Sequence, residues 1–159
     1  MDNKATPNLI MENARIIFRN FSGKETKFNR EGNRNFCLIL DGADEANEMI
    51  HKGWNVKTLR PREDDDEPIY YIQVAVNFGG NSQPKIFLVT RNGKTPLDEE
   101  TVGLLDSAEI HNIDLTIRPY FWEVNGKTGI KGYLRSMYVT IEEDEFAAKY
   151  SEEEYPYEE

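Results

Sequence analysis

Residues 113–141 read IDLTIRPYFWEV, then NGKTG, then IKGYLRSMYVTI, and this stretch decides the fold. Both halves are rich in β-branched and aromatic residues, which strands favour. An Asn-Gly pair at 125–126 lies between the halves and is the strongest short-range signal for a β-hairpin. The sequence therefore predicts one long hairpin from Ile113 to Ile141, around which the rest of the chain is organised.

The alternation of side chains along a strand divides this hairpin into two faces. A two-residue turn, either Asn125-Gly126 or Gly126-Lys127, places three cations and three aromatic residues on one face, whereas a three-residue loop would separate them. On the reverse face, Ile117, Phe121 and Leu134 are predicted to be core. The six residues of the first face are Arg118, Tyr120, Trp122, Lys131, Tyr133 and Arg135.

The face with cations and aromatics has a chemical meaning. Aromatic rings on a sheet are platforms on which unpaired bases stack, at about 1–3 kcal/mol per base, and neighbouring cations pair with phosphates. Alternatively, Tyr and Trp are present because strands favour them, and a cation beside a ring forms only a surface cation–π pair. The hairpin by itself does not separate these two interpretations.

Length and composition exclude several classes of protein. The 159 residues suffice for one domain with its own core. No apolar run has the length of a membrane span, and the first residues lack the apolar segment of a signal peptide. The single cysteine, Cys37, is predicted to be a buried thiol, and two isolated histidines do not indicate a metal site. We therefore expect a soluble intracellular protein without a disulfide framework.

The formal net charge of −10 is unevenly distributed. Residues 142–159 hold nine acids and one lysine, a net of −8, and the run EDDDE at 63–67 holds −5. The two segments together have a net charge of −13. Because the whole chain has a net charge of −10, the remaining residues have a net charge of +3. A mildly basic body with an acidic tail is compatible with a nucleic-acid partner, whereas a uniformly acidic protein is not.

Hydrophobic alternation in the rest of the chain predicts mostly short strands, in the rough order β-β-α-β-β-β-α-β-β. A first helix is expected after Asp41 or Asp44, ending at Gly53, and a second helix is expected to begin near Asp98. Short, hairpin-linked strands suit a small antiparallel barrel or sandwich. The sequence thus predicts a mainly β fold with one or two short helices and no division of the body into two domains.

Cations outside the hairpin extend the candidate interface. The stretch 19–34 holds five cations among Gly and Asn, and it is either a solvated loop or a series of phosphate contacts. In the next predicted strand Trp54 and Val56 share one face and Lys57 points outward. The candidate nucleic-acid-binding residues outside the hairpin are Lys27, Arg30, Trp54, Lys57 and Lys85.

The sequence gives only weak signals for a catalytic or cofactor-binding site. The EDDDE run at 63–67 could form part of a two-metal nuclease, but consecutive carboxylates usually repel one another and remain solvated, and no second acidic cluster completes a site. A GxSxG nucleophile elbow and a GxxxxGK[ST] phosphate loop do not occur. The sequence therefore predicts neither an enzyme nor a cofactor.

Several segments of the sequence resemble those of a known protein family. The segments RNFCLIL (34–40), GWNVK (53–57), PKIFLVT (84–90) and 122–150 look like those of single-stranded DNA-binding proteins encoded by bacteriophages and related mobile elements. The resemblance spans most of residues 13–150. It implies an OB-fold, a five-stranded Greek-key barrel that binds single strands across one face, in a protein of phage DNA replication, recombination or repair. It also implies a location in the cytoplasm of a bacterial host, and it makes the six hairpin residues candidate contacts.

The C-terminal residues fit the same resemblance. Acidic tails in this kind of protein recruit replication partners and compete with DNA, although here two glutamates follow the last tyrosine of EEEYPYEE. We expect residues 1–150 to form an OB-fold domain that binds single-stranded DNA, and 151–159 to form a flexible acidic tail that could contact replication or recombination proteins. A phage β-barrel that binds a protein through its hairpin is the main alternative, and homo-oligomerisation is left open.

Overall fold

The computed structural model describes residues 7–63 and 66–143. The predictions about the N-terminal six residues, about Asp64 and Asp65, and about the acidic tail from 144 onward lie outside the described residues. The described chain contains nine strands, one α-helix and one short 3-10 helix. They are β1 Leu9–Met11, β2 Ile16–Asn20, β3 Arg34–Ile39, α1 Gly42–His51, β4 Lys57–Leu59, β5 Ile69–Val76, β6 Lys85–Thr90, β7 Gly93–Leu97, the 3-10 helix Val102–Asp106, β8 Ile110–Val124 and β9 Lys127–Ile141.

The strands form a sheet that curls round on itself. Its main path runs β1-β8-β9-β5-β3-β2. The two end strands, β1 and β2, are separated by only four residues, 12–15, so both edges of the path lie close together. Within this link the N–H of Ala14 donates to the carbonyl of Ile113, and the carbonyl of Arg15 accepts from Ile39. The N-terminal segment thus bridges β8 and β3, and the fold is mainly β and OB-like, as predicted, with nine strands in one mixed sheet.

Strand β9 is the centre of the sheet. It pairs antiparallel with β8 along its length, and parallel with β5 near its start and with β6 near its end. The sequence predicted an antiparallel barrel, and these two parallel pairings were not anticipated. Strand direction across the sheet depends on contacts between distant segments, whereas the alternation pattern reports only on each strand by itself.

The predicted hairpin is confirmed by the pairing of β8 with β9. Val124 pairs with Lys127, so the turn consists of Asn125 and Gly126. Their φ angles are 52° and 81°. Positive values at both positions are those of a type I′ turn, which Asn-Gly adopts readily and which matches the twist of the strands. The Asn125-Gly126 turn therefore fixes which side chains share a face.

The core lies inside the curled sheet. Ile117 and Leu134 are buried, as predicted, and the inward residues of β5 (Ile72, Val74 and Val76) are buried with them. The prediction that Phe121 is core is wrong, since 37% of its side chain is exposed. Residues 123–128 at the end of the hairpin are exposed on both faces, and Phe121 lies close to them, although its register partner Ile130 is buried.

One of the two predicted helices is shorter than the sequence suggested. Helix α1 is confirmed, and Gly53, at φ 104°, ends it as predicted. The second predicted helix is a 3-10 helix of five residues, preceded by Asp98. The Thr101 hydroxyl and neighbouring backbone N–H groups donate to this carboxylate and hold the pKa of Asp98 below its ordinary value. Among the described residues, no helix is long and apolar enough to cross a membrane.

Candidate nucleic-acid interface

Four of the six predicted hairpin residues form one cluster on the outer face of the sheet. Arg118 pairs with Tyr133 and Tyr120 pairs with Lys131. The Arg118 guanidinium carbon and the Lys131 ammonium nitrogen each lie 5.2 Å from the centroid of the Tyr133 ring. The Tyr120 ring meets the Tyr133 ring edge to face, with the centroids 6.0 Å apart. The alternation of the sequence therefore placed these four side chains correctly.

Trp122 lies on the same face because its partner across the hairpin is a glycine. It pairs with Gly129. A Cβ atom at position 129 would lie 2.7 Å from Cζ2 of the Trp122 ring, so the indole covers the glycine backbone directly. Any larger residue at 129 would displace the ring. The small residue opposite Trp122 thus lets this side chain lie across the hairpin as a flat surface.

Arg135 does not continue this row regularly, because a β-bulge interrupts β9. Ile117 pairs with Leu134 and Thr116 pairs with Ser136, so Arg135 is the extra residue. It is exposed, but it does not line the groove described next. Bulges have no simple sequence signal, and the alternation rule fails across one.

A groove of about 560 Å³ lies beside the cluster, between the hairpin and residues 21–33, here called the basic loop. Its floor consists of the outward side chains of β3 and β5, which are small or polar. Trp122, Lys131 and Tyr133 line it from the hairpin, and Phe28 lines it from the basic loop. The lining also includes six side-chain amides: Asn29, Asn33, Asn35, Asn55, Gln73 and Asn77.

Among the described residues, no carboxylate lines the groove. Acids make up 29 of the 159 residues, yet the charged side chains of the lining are Arg34 and Lys131, of which Arg34 lies 3.9 Å from the Glu99 carboxylate outside the groove.

A second pocket of about 300 Å³, here called the side pocket, shares Asn77 and Tyr133 with the groove. It adds Arg118 and the loop residue Ser82, and within the described part of the chain no acid lines it either. The described charged residues that line these two concavities are therefore all cations, in a chain of net charge −10.

The basic loop is held in place by an asparagine network. Nδ2 of Asn29 donates to the carbonyls of Lys24, Arg30 and Asn33, and its Oδ1 accepts from Nδ2 of Asn35 in β3. These bonds fix the loop against the sheet at one wall of the groove. The predicted contacts Lys27 and Arg30 are both exposed on this loop.

Phe28 was missed by the sequence analysis. Its side chain is 93% exposed at the mouth of the groove, with the Lys27 ammonium 6.0 Å from its ring centroid. The sequence did contain a signal for this residue. An apolar ring in a polar loop cannot pack against the core, so it is a candidate for contact with a ligand.

The other predicted residues lie apart from the cluster. Trp54 also lines the groove, but it is 6% exposed and belongs to the core, where its ring reaches the backbone of Gly132. Lys57 pairs with Tyr71 on the β5 side, and Lys85 pairs with Ser136 beyond the bulge. Lys57 also acts on Cys37, a buried thiol as predicted: burial raises the pKa of Cys37 and the lysine charge opposes that rise.

An exposed aromatic pair on β2 and β5 was also missed. Phe18 has a φ of 53° beside a bulge in β2, which is an unusual conformation for a bulky residue. Its side chain is 55% exposed, and its ring meets the Tyr71 ring edge to face at 5.7 Å between centroids. Such left-handed residues are more frequent at functional sites than elsewhere.

A nuclease site is not supported by the described residues. Within 7–63 and 66–143, no group of three or more His, Cys, Asp or Glu side chains is arranged to hold a metal ion. Of the proposed metal ligands, Asp64 and Asp65 lie outside the described residues.

Comparisons with known proteins show the family and the fold. Residues 1–158 match the family model described as "Putative phage ssDNA-binding domain". The single-stranded DNA-binding protein from bacteriophage Enc34 in complex with ssDNA shares the fold, at a TM-score of 0.53 and 12% identity, over 86% of this chain and 88% of that one. The C-terminal truncation of the same Enc34 protein has a TM-score of 0.53 and 11% identity, over 86% of this chain and 87% of that one.

A single-stranded DNA-binding protein encoded by bacteriophage T7, gp2.5, is more distant. It has a TM-score of 0.39 and 9% identity, over 90% of this chain and 96% of that one. No curated protein sequence matches this chain.

Proposed function

Because the chain belongs to the family of phage single-stranded DNA-binding domains, we propose that it binds single-stranded DNA in the groove between the hairpin and the basic loop. The observation that carries this assignment is the composition of the groove. Among the described residues, a chain rich in acids leaves this groove free of carboxylates and lines it with amides, aromatic rings and two cations. That combination suits a polyanion with exposed bases.

Each kind of side chain has a separate role in this proposal. Trp122 and Tyr133 offer ring faces on which unpaired bases stack. Lys131 and Arg118 lie beside the Tyr133 ring, where they meet the phosphates of the same nucleotides. The basic loop adds Phe28 and Lys27 at the opposite wall.

The amides make the binding tolerant of base sequence. A side-chain amide both donates and accepts, so Asn35 and Gln73 on the floor can satisfy more than one base edge. Stacking is similarly tolerant, since every base has a π-face. The protein therefore acts on single strands of any sequence, as phage DNA replication, recombination and repair require. This is a binding function with no catalytic step.

A salt titration tests the proposal. We expect affinity for a dT oligonucleotide to fall with added salt, with a log–log slope of about −0.7 per phosphate neutralised. Arg118→Ala should make that slope shallower by somewhat under one unit, because one phosphate contact is lost. The matched control is Arg62→Ala, which removes an exposed arginine outside the groove and should leave the slope unchanged. Equal slopes for wild type and Arg118→Ala would show that Arg118 does not contact a phosphate, and a wild-type slope near zero would favour a protein-binding hairpin instead.

The acidic tail is proposed to compete with DNA for the groove, and it is the candidate contact for replication or recombination proteins. A polyanion tethered to the body has an effective concentration in the millimolar range. Deleting residues 151–159 removes five acids and should tighten binding of single strands at low salt. The gain should vanish near 0.5 M salt, where the Debye length is only about 4 Å. Fluorescence anisotropy of a labelled dT strand measures both; unchanged affinity at low salt would leave only a partner-docking role.

A further inference from the structure

A second aromatic group lies outside the groove, where β6, β7 and β9 meet. The Phe87 and Tyr138 rings are stacked across the β6–β9 pairing, with the centroids 5.1 Å apart and the planes at 18°. The Lys94 ammonium lies 5.0 Å from the Phe87 centroid and 5.5 Å from the Tyr138 centroid. Tyr138 remains 39% exposed. We call these three residues the second platform.

The bulge at Arg135 places the second platform on the same face as the groove. Tyr133 and Tyr138 are five residues apart, and in a regular strand they would point to opposite faces. Instead Tyr133 pairs with Arg118 and Tyr138 pairs with Asp114, and these two partners are four residues apart on β8. Strand β8 keeps its alternation here, since Ile113, Leu115 and Ile117 are all buried. Both tyrosines therefore face outward on one continuous surface.

The surface between the two tyrosines is suited to a phosphate backbone. The side pocket adjoins the groove and is lined by Leu134, which lies next to the bulge, by Arg118 and, among the described residues, by no acid. Beyond it lie two exposed cations, Lys85 and the bulge residue Arg135. Four cations therefore lie along the surface from the side pocket to the second platform: Arg118, Lys85, Arg135 and Lys94.

Two described acids near the second platform have partners. Asp114, the neighbour of Tyr138 in register, accepts a hydrogen bond through Oδ1 from the backbone N–H of Asn13. Glu143 accepts from the backbone N–H of Arg91 and lies 3.5 Å from its guanidinium. Arg91 therefore offsets the charge of Glu143, whereas Asp114 keeps its charge and is opposed by Lys94 on the other side of Tyr138.

The distance from Tyr133 in the groove to Tyr138 in the second platform is short enough for one bound strand to span both. Because the bulge adds a residue to β9 only, the two tyrosines are separated by the length of four residues of β8, about 14 Å at about 3.4 Å per residue. About four nucleotides cover this distance at the stacked rise of about 3.4 Å per nucleotide. OB folds occupy about 4–16 nucleotides, so a strand that fills the groove and continues to the second platform stays within this range.

We propose that single-stranded DNA leaves the groove through the side pocket and continues over the bulge to the second platform, where a further base stacks on Tyr138 and Lys94 meets its phosphate. This inference rests on the proposed function and extends the site beyond it. It assigns a role to an exposed aromatic pair that the groove does not include.

Strand length tests this path. We compare a dT strand of about six nucleotides with one of about sixteen, which are near the two ends of the range for OB folds. Tyr138→Ala should leave the affinity for the short strand unchanged and weaken binding of the long strand by about fivefold or more, because one stacking platform is lost. Tyr138→Phe keeps the ring and should restore the long-strand affinity. Lys94→Glu keeps both rings and should also weaken only the long strand.

The controls separate this inference from the proposed function. Phe121→Ala removes an exposed ring from the reverse face and should affect neither strand. If the wild-type protein binds neither length, the proposed function itself fails. If it binds both, and neither Tyr138→Ala nor Lys94→Glu weakens the long strand relative to the short one, the second platform only covers the β6–β9 junction and the proposed path is wrong.

Discussion

Gly132→Val is expected to lower the free energy of unfolding by about 3 kcal/mol, since a side chain inserted into a packed core forces its neighbours to move. Gly132 is buried in β9 where this strand pairs with β5. A Cβ atom there would lie 3.0 Å from Cγ2 of Ile117 and 3.2 Å from Cζ3 of Trp54. Both neighbours are buried, so neither can move into solvent.

Urea denaturation followed by circular dichroism measures this loss. Gly80→Val is the matched control, because Gly80 is exposed and a Cβ there would meet only the Asn77 side chain, at 3.6 Å. The control should shift the urea midpoint far less. Equal midpoints for the two variants would show that β9, β5 and the Trp54 segment are not packed as described.

The hairpin could be predicted from the sequence because its determinants are local. Asn125 and Gly126 fix the turn, and the turn fixes the register, so alternation alone placed Arg118, Tyr120, Lys131 and Tyr133 together. The same logic put Ile117 and Leu134 in the core. A tight turn with unambiguous turn residues carries information over the whole length of the two strands that it joins.

The prediction weakened wherever the backbone departs from regular alternation. The bulge in β9 takes Arg135 out of the row and brings Tyr138 onto the outer face, and the bulge in β2 exposes Phe18. Alternation also could not show that the end of the hairpin, close to Phe121, is exposed on both faces. These departures depend on packing between distant strands, so a single strand's sequence does not encode them.

The groove required the tertiary fold. Its floor comes from β3 and β5, one wall from the basic loop and the other from the hairpin. The basic loop leads directly into β3, but β5 and the hairpin are distant from both in sequence. The sequence separates two acidic segments from a mildly basic remainder. It does not show that the described carboxylates all lie outside the groove, because that depends on which residues the fold brings together.

The double variant Trp122→Ala/Tyr133→Ala is expected to lose most of the affinity for single-stranded DNA. Each ring is a stacking platform worth about 1–3 kcal/mol per base, so the two together should cost about 2–6 kcal/mol. The fold should survive, since both side chains lie on the outer face of the hairpin and neither is part of the buried core. Circular dichroism checks this, and Phe121→Ala controls for the loss of an exposed aromatic residue.

The most direct test of the groove as the DNA-binding site is therefore an anisotropy titration of a short labelled dT strand with wild type, Phe121→Ala and the double variant. Wild type and Phe121→Ala should bind with equal affinity. The double variant should bind at least about thirtyfold more weakly, which corresponds to about 2 kcal/mol. A folded double variant with wild-type affinity would contradict the assignment, because single strands would then bind on another surface of the protein.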